Sequence, residues 1–287
     1  MNHKKRVGIL MRSFARTPDK TDETVQRIMK AVKEIVWFEG TDWSVSLILS
    51  VIPVDRSYKD SDSGDLSGAV RLAWLKYRQS LSGPEHVWPP KADFMVHEVS
   101  TDLFVGAQNF ALGLFASSHV DVMVTLAPSA ARYFDRDTAE DVMSALKAGV
   151  RVVGISIPED GIDELVYRGT LGGPIVAWDL KSLVGVGGFD ERAAQPRIGE
   201  ENPNAGCEEI YPLVRIIKKY GACMAPVQTQ ARVERRKLEG EDLARHEKQI
   251  ATKTERQMAH ARVLGVEDLD FFARAVMLGC QVMPIVE

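Results

Sequence analysis

The stretch DVMVTLAPSAARYFDRDTAEDVMSALKAGVRVVGISI, Asp121–Ile157, decides the fold. It opens on Asp121-Val-Met-Val-Thr-Leu126, a short unbroken apolar run of the kind buried on both faces of a sheet. Asp137 or Thr138 then caps a helix carrying Val142 and Leu146, with Asp141 in its first turn. Val150–Ile157 is apolar again and reads as the next strand. Alternation of strand and amphipathic helix is the signature of a mainly parallel sheet with helices on both faces.

The same alternation extends toward the N-terminus. Val7–Met11 is a second buried-strand pattern. Thr21 caps a helix whose first turn holds Asp22 and Glu23 and whose apolar stripe is Val25, Ile28, Met29, Val32, Ile35 and Val36. Val45–Val54 reads as a strand, Asp55–Gly64 as a loop, residues 66–78 as a helix and Gly83–Pro90 as a loop. Phe94–Val99 is a strand, and Ala107, Phe110, Ala111, Leu114 and Phe115 form a helical stripe. Past residue 158 the rhythm changes. Two glycine-rich stretches, Gly169–Pro174 and Gly185–Gly188, flank a short strand at Ile175–Trp178, and Ile210, Leu213, Val214 and Ile217 make one more helix with Pro212 tolerated in its first turn. In such a sheet, ligands bind beyond the carboxyl ends of the strands, which points to Arg12–Arg16, Asp55–Asp65, Val99–Asn109 and Ala127–Asp137.

Composition narrows the function classes. The 287 residues are 45% hydrophobic and 26% charged, ordinary for a globular chain that needs no disulfide to hold its core. A formal net charge of −4 argues against a nucleic-acid partner. Cys207, Cys223 and Cys280 form neither a CxxC pair nor a zinc spacing, so a reducing cytoplasm is the simplest setting. No stretch has the ~18 apolar residues that span a bilayer. The basic Met1–Arg6 is followed only by the short Val7–Met11 run, unlike a secretory leader.

Four motifs stand in a telling order: Val7-Gly-Ile-Leu-Met-Arg-Ser-Phe-Ala-Arg16, Phe104-Val-Gly-Ala-Gln-Asn-Phe-Ala-Leu-Gly113, Leu183-Val-Gly-Val-Gly-Gly-Phe-Asp-Glu191 and Cys207-Glu-Glu-Ile-Tyr-Pro-Leu-Val-Arg215. Over residues 6–225 this order resembles that of inverting glycosyltransferases with the GT-A fold, a Rossmann-like α/β fold typified by polysaccharide synthases. "GGFDE" followed by an acidic helix start is its most specific part. The resemblance implies transfer of a sugar from a nucleotide-diphosphate donor to a hydroxyl acceptor by inverting displacement. It assigns Arg12, Arg16, Asp55 and Asn109 to the donor, and Trp178, Gly188, Asp190 and Glu191 to the acceptor side. It makes Glu209 the general base beside Glu208. A GT-A-like nucleotide-binding or scaffold protein without catalysis is the alternative.

Each assignment has a plainer reading beside it. Gly187 and Gly188 serve a turn that needs positive φ, with Asp190 or Glu191 as a cap. Glu208 and Glu209 are ordinary acidic residues at a helix start. Trp178 is either a stacking floor for a sugar or core packing, and Asp55 is either a nucleoside contact or an Asx turn. The family's Asp-x-Asp, which holds manganese or magnesium against the diphosphate, is replaced by Ala127-Pro-Ser129. No metal site is therefore assigned. Asp135 and Asp137 have the right spelling just downstream, and Asp137 also suits a helix cap. Without a metal, Arg12, Arg16 or Arg132 is left to neutralise the diphosphate.

Residues 1–230 are thus expected to form the transferase domain and 231–287 a helical extension. Between 232 and 262 the apolar positions Val233, Leu238, Leu243, Ile250 and Met258 make no continuous stripe, so this helix is expected not to bury a whole face in its own domain. Leu269–Met283 is apolar enough to need covering. A homo-oligomer formed through the extension is the expectation, and a lid over the chain's own cleft the alternative.

Overall fold

A computed structural model describes residues 6–13, 21–35, 44–51, 66–80, 93–98, 105–156, 175–194, 204, 206–229, 231 and 240–277. Its strands are β1 (Arg6–Ser13), β2 (Ser44–Val51), β3 (Asp93–Glu98), β4 (Val122–Leu126), β5 (Val152–Ser156), β6 (Ile175–Asp179) and β7 (Met224–Gln228). The helices are α1 (Thr21–Ile35), α2 (Leu66–Ser80), α3 (Val105–Ser117), α4 (Arg136–Lys147), α5 (Leu180–Val184), α6 (Ile210–Tyr220), α7 (Gly240–Val263) and α8 (Asp270–Ala273). Short 3-10 turns occupy Pro128–Tyr133 and Glu191–Ala193.

The strands form one sheet in the order β3-β2-β1-β4-β6-β5-β7, with β6 antiparallel to both neighbours and every other pairing parallel. This is the mainly parallel α/β architecture that the alternation predicts. Residues of β1 divide between two cores because successive side chains point to opposite faces. Val7, Ile9 and Met11 join Ile28 and Val32 of α1, Val70 and Trp74 of α2, and Val142 and Leu146 of α4. Leu10 joins Ala111, Leu112 and Phe115 of α3 and Leu213, Val214 and Ile217 of α6 on the other face. Gly8 lets α3 approach closely, since a Cβ built there would lie 2.5 Å from the Phe115 ring.

Three features depart from the sequence reading. The cap of α4 is Asp135, whose carboxylate accepts from the Thr138 N–H at 2.9 Å, while Asp137 is exposed in the first turn. An Asp accepting from the N–H three residues on satisfies an end donor, which makes Asp135 the better cap. Met224–Gln228 adds β7, which the sequence reading lacks. The helical extension also packs on its own chain. Met258 and Ala261 of α7, with Phe272 and Ala275 beyond it, belong to the same apolar core as α6. Ala275 accepts from the backbone N–H groups of Cys223 and Met224, and Met277 donates to Met224, so the tail covers the β7 edge. The last turns of α7 thus bury Met258 and Ala261 in their own domain, while the side chains of Leu243 and Ile250 lie outside the described residues. Val233 and Leu238 lie outside the described residues.

Candidate active site at the carboxyl edge of the sheet

Arg12, near the end of β1, points to the α3 side of the sheet, as Gly8 and Leu10 do. Its Nη1 lies 3.6 Å from Oε1 of Glu208, with the two side chains 14% and 9% exposed. Glu208 and Glu209 form the turn entering α6. Glu209 is the N-cap residue but makes no side-chain capping bond; its carbonyl instead accepts from Leu213 N–H at 3.0 Å. The Glu209 carboxyl is buried and pushed up to about 8, first by burial and then by the neighbouring Glu208, against the opposing pull of Arg12 and Lys253. Cys207, beside them, is pushed up to about 12, mainly by burial, and is an unreactive thiol. The fold therefore brings Arg12 to the distant Glu208–Glu209 pair in one buried charged cluster.

The Gly187–Glu191 turn is built rigidly next to this cluster. Gly188 has φ +71, and a Cβ there would come within 2.7 Å of Leu112 and 2.9 Å of the Asn109 amide oxygen. Asn109 holds the turn at both ends of one peptide: its Nδ2 donates to the Phe189 carbonyl at 2.8 Å and its Oδ1 accepts from Phe189 N–H at 2.9 Å. Asn109 thereby braces the Gly187–Glu191 turn from α3. Asp190 accepts from the Arg192 backbone N–H at 3.0 Å and from Arg192 Nε and Nη2 at 2.8 Å each, and also from Arg215 of α6. The Arg192 hydrogen bonds, with help from Arg215, hold its carboxyl far below the usual carboxylate range. Asp190 is thereby a cross-link between the turn and α6. Glu191 is exposed.

Trp178 lies at the middle of the sheet, 0% exposed, packed edge-on against Phe189 with ring centroids 5.7 Å apart. It is core packing and cannot stack on a sugar. Arg132 donates to the Tyr133 hydroxyl at 2.6 Å and lines a cleft of about 490 Å3 with Lys30, Lys33, Glu34, Ala131, Phe134 and Asp135. That cleft contains none of the Arg12 cluster. Arg16 and Asp55 lie outside the described residues.

One residue was missed. Gln108 in the first turn of α3 is 0% exposed, and among the described residues neither its Nε2 nor its Oε1 has a hydrogen-bond partner. Seven residues later on the same helix face, Phe115 packs on Gly8. The helix runs antiparallel to β1, so two turns back, about 10 Å, bring Gln108 to the level of the Leu10–Arg12 end of β1. A polar residue on the core face of an otherwise apolar stripe was the signal in the sequence. An unpaired buried amide is costly, and an ordered water or a ligand would satisfy it.

The donor set does not fit the family's metal. Ala127 and Pro128 carry no ligand, Ser129 is a lone exposed hydroxyl, and Asp135 is committed to its cap. Among the described residues no group of three His, Cys, Asp or Glu side chains is arranged to hold a metal ion. Nor is any helix long and apolar enough to cross a membrane.

No family model matches the sequence, and no curated protein matches it. Among solved structures the chain is similar to the mannosyltransferase PcManGT from Pyrobaculum calidifontis, determined with GDP-Man and Mn2+, at 16% identity and a TM-score of 0.43. The match covers 76% of this chain and 64% of that one, so the chain spans somewhat less than two thirds of the mannosyltransferase. A putative nucleotide-diphospho-sugar transferase from Desulfovibrio desulfuricans G20 is similar at 11% identity and a TM-score of 0.41, covering 94% of this chain and 98% of that one. A cytidylyltransferase from Leptospira borgpetersenii is similar at 12% identity and a TM-score of 0.42, covering 95% and 99%. These likenesses concern the fold alone.

Proposed function

We propose that the protein transfers a sugar from a nucleotide-diphosphate donor to a hydroxyl acceptor by a single inverting displacement, with Glu209 as the general base. The observation that carries this reading is the buried Glu208–Glu209 pair held against Arg12 at the carboxyl edge of the sheet. A carboxyl pushed up to about 8 is matched to accepting a proton near neutral pH, where an ordinary surface Glu is too weak a base. In the step, the acceptor hydroxyl proton passes to Glu209 as its oxygen bonds the anomeric carbon. The carbon–oxygen bond to the diphosphate breaks, and the nucleoside diphosphate leaves with that electron pair. Arg12 supplies positive charge toward the leaving group, and Arg16 and Asp55 remain assigned to the donor. The Gln108 amide, with one donor and one acceptor edge unmet, suits the nucleoside part. Gly188 and Glu191 belong to the acceptor side, which the Asn109 and Asp190 anchors support.

A binding or scaffold role without turnover is the second reading, favoured by the missing carboxylates at Ala127-Pro-Ser129. A thermal-shift panel of UDP-, GDP-, CMP- and dTDP-linked sugars, with and without manganese, followed by assay of donor hydrolysis, tests both. Hydrolysis of a bound donor supports the transferase; binding without turnover leaves the scaffold; absence of binding to every donor refutes both.

A further inference from the structure

Helix α7 belongs to the C-terminal extension and lies outside the region that resembles a transferase, yet it faces the turn that carries Glu209. Lys253, Arg256, Gln257 and His260 stand at helical i, i+3, i+4, i+7 spacing and so form one stripe. Each meets the segment entering α6. A Cβ at Gly206, whose φ is +75, would lie 3.0 Å from Lys253 Cε. Gln257 Nε2 donates to the Gly206 carbonyl at 2.7 Å. Arg256 pairs with the Cys207 thiol. His260 bonds the Tyr211 hydroxyl at 3.1 Å and the Asn204 side chain at 3.0 Å. Met258 and Ala261 bury beside this stripe. A helix fastened to its own domain needs no charged row on its inner face. The stripe lies against residues 204–211, the segment that carries the buried Glu208 and Glu209.

We propose that Lys253 is a positioning residue for Glu209: the C-terminal helix lays an ammonium beside the buried base, so that its carboxylate form is attainable during turnover. This rests on the reading of Glu209 as the base. Among the described residues, the charged and titratable groups facing Glu209 are Arg12 from β1, Glu208 and Cys207 from its own turn, and Lys253 from α7, with Arg256 of α7 acting on Cys207. Arg12 is shared, because it is ion-paired with Glu208. Among the described residues, Lys253 is the cation of the extension that acts on Glu209, beside the Arg12 that Glu208 already engages.

Two substitutions in the full-length protein separate charge from packing. Lys253→Met keeps an unbranched stem over Gly206 and removes the charge; Lys253→Arg restores the charge. Hydrolysis of the best-binding nucleotide sugar is followed between about pH 5 and 10. The midpoint of the rise in rate is expected about one pH unit higher in Lys253→Met, and back near the parent value in Lys253→Arg. The second readout needs no activity: the gain in unfolding temperature produced by Glu209→Gln at about pH 9, where the folded protein holds this carboxyl largely ionised, measured alone and combined with Lys253→Met, is expected to be larger in the combination. If the parent protein hydrolyses no donor, the transferase reading fails, and this stability cycle still decides whether Lys253 acts on Glu209. An unchanged cycle overturns the proposal. An unchanged rate midpoint, or equal shifts in the Met and Arg variants, overturns it as well.

Discussion

Gln108 makes the sharpest prediction, because stability and function should move in opposite directions there. Its amide is fully buried and, among the described residues, unbonded at both nitrogen and oxygen. A buried polar group left without a partner costs about 1–3 kcal/mol, whereas an apolar side chain of the same shape carries no such penalty. Gln108→Met preserves length and flexibility and removes the amide. The ligand-free variant is therefore expected to be more stable by about 1–2 kcal/mol, a rise of about 3–6 °C in unfolding temperature for a chain of this size. Nucleotide binding is expected to weaken about tenfold or more, since the two hydrogen bonds that the ligand would complete are lost. Scanning calorimetry without ligand measures the first effect. Titration calorimetry with nucleoside diphosphates and with inorganic pyrophosphate measures the second, and the loss should be confined to the nucleosides. A variant that is less stable than the parent and binds nucleotides unchanged would show that the amide serves the fold, and the reasoning would fail.

Glu209→Gln should lower kcat roughly 10²-fold or more with donor affinity nearly intact, and Glu208→Gln less, as single-turnover and binding measurements will show. Because Glu209 is raised above its ordinary 4.5, the stability it contributes is whole below about pH 4.5 and is lost as pH rises through about 8. Glu209→Gln should accordingly flatten the decline of unfolding temperature between about pH 4.5 and 8. Asp190 behaves oppositely: its depressed pKa contributes stability above the ordinary 3.8, lost as pH falls through the folded value. Asp190→Asn should cost about 2 kcal/mol near neutral pH and progressively less under acid, read by denaturant titration. Gly188→Ala, with φ +71 and a Cβ 2.7 Å from Leu112, should destabilise by about 2 kcal/mol or more and detach the Phe189 turn from Asn109, visible in near-UV dichroism through Trp178. Nucleotide affinity should be insensitive to EDTA; an affinity that collapses on chelation would refute the reading of Ala127-Pro-Ser129.

The amino-acid sequence by itself determined the strands and helices that have an unambiguous period. Val7–Met11, Val122–Leu126 and Val152–Ile155 are short, almost wholly apolar runs, the pattern of strands covered on both faces. The stripes of α1 and α6 were equally legible because a 3.6-residue period repeats within each. The sequence also marked Arg12, Glu208 and Glu209, through the order of motifs along the chain. It could not show that they meet, because the Arg12–Glu208 pair spans two elements brought together only when β1 and α6 dock on the sheet. Nor could it place β6, whose insertion between β4 and β5 depends on burial from both sides and leaves no local mark. Asn109 and Trp178 illustrate the same limit. Their chemistry fits a ligand site, but what each contacts depends on its position after packing, and the nearest partners proved to be the Phe189 backbone for one and the apolar core for the other. For α7 the sequence offered a charged segment with no continuous apolar stripe. The tertiary structure decided that its Lys253–His260 stripe is an inner face, since a polar row is distinguished from a solvated one only by what lies opposite.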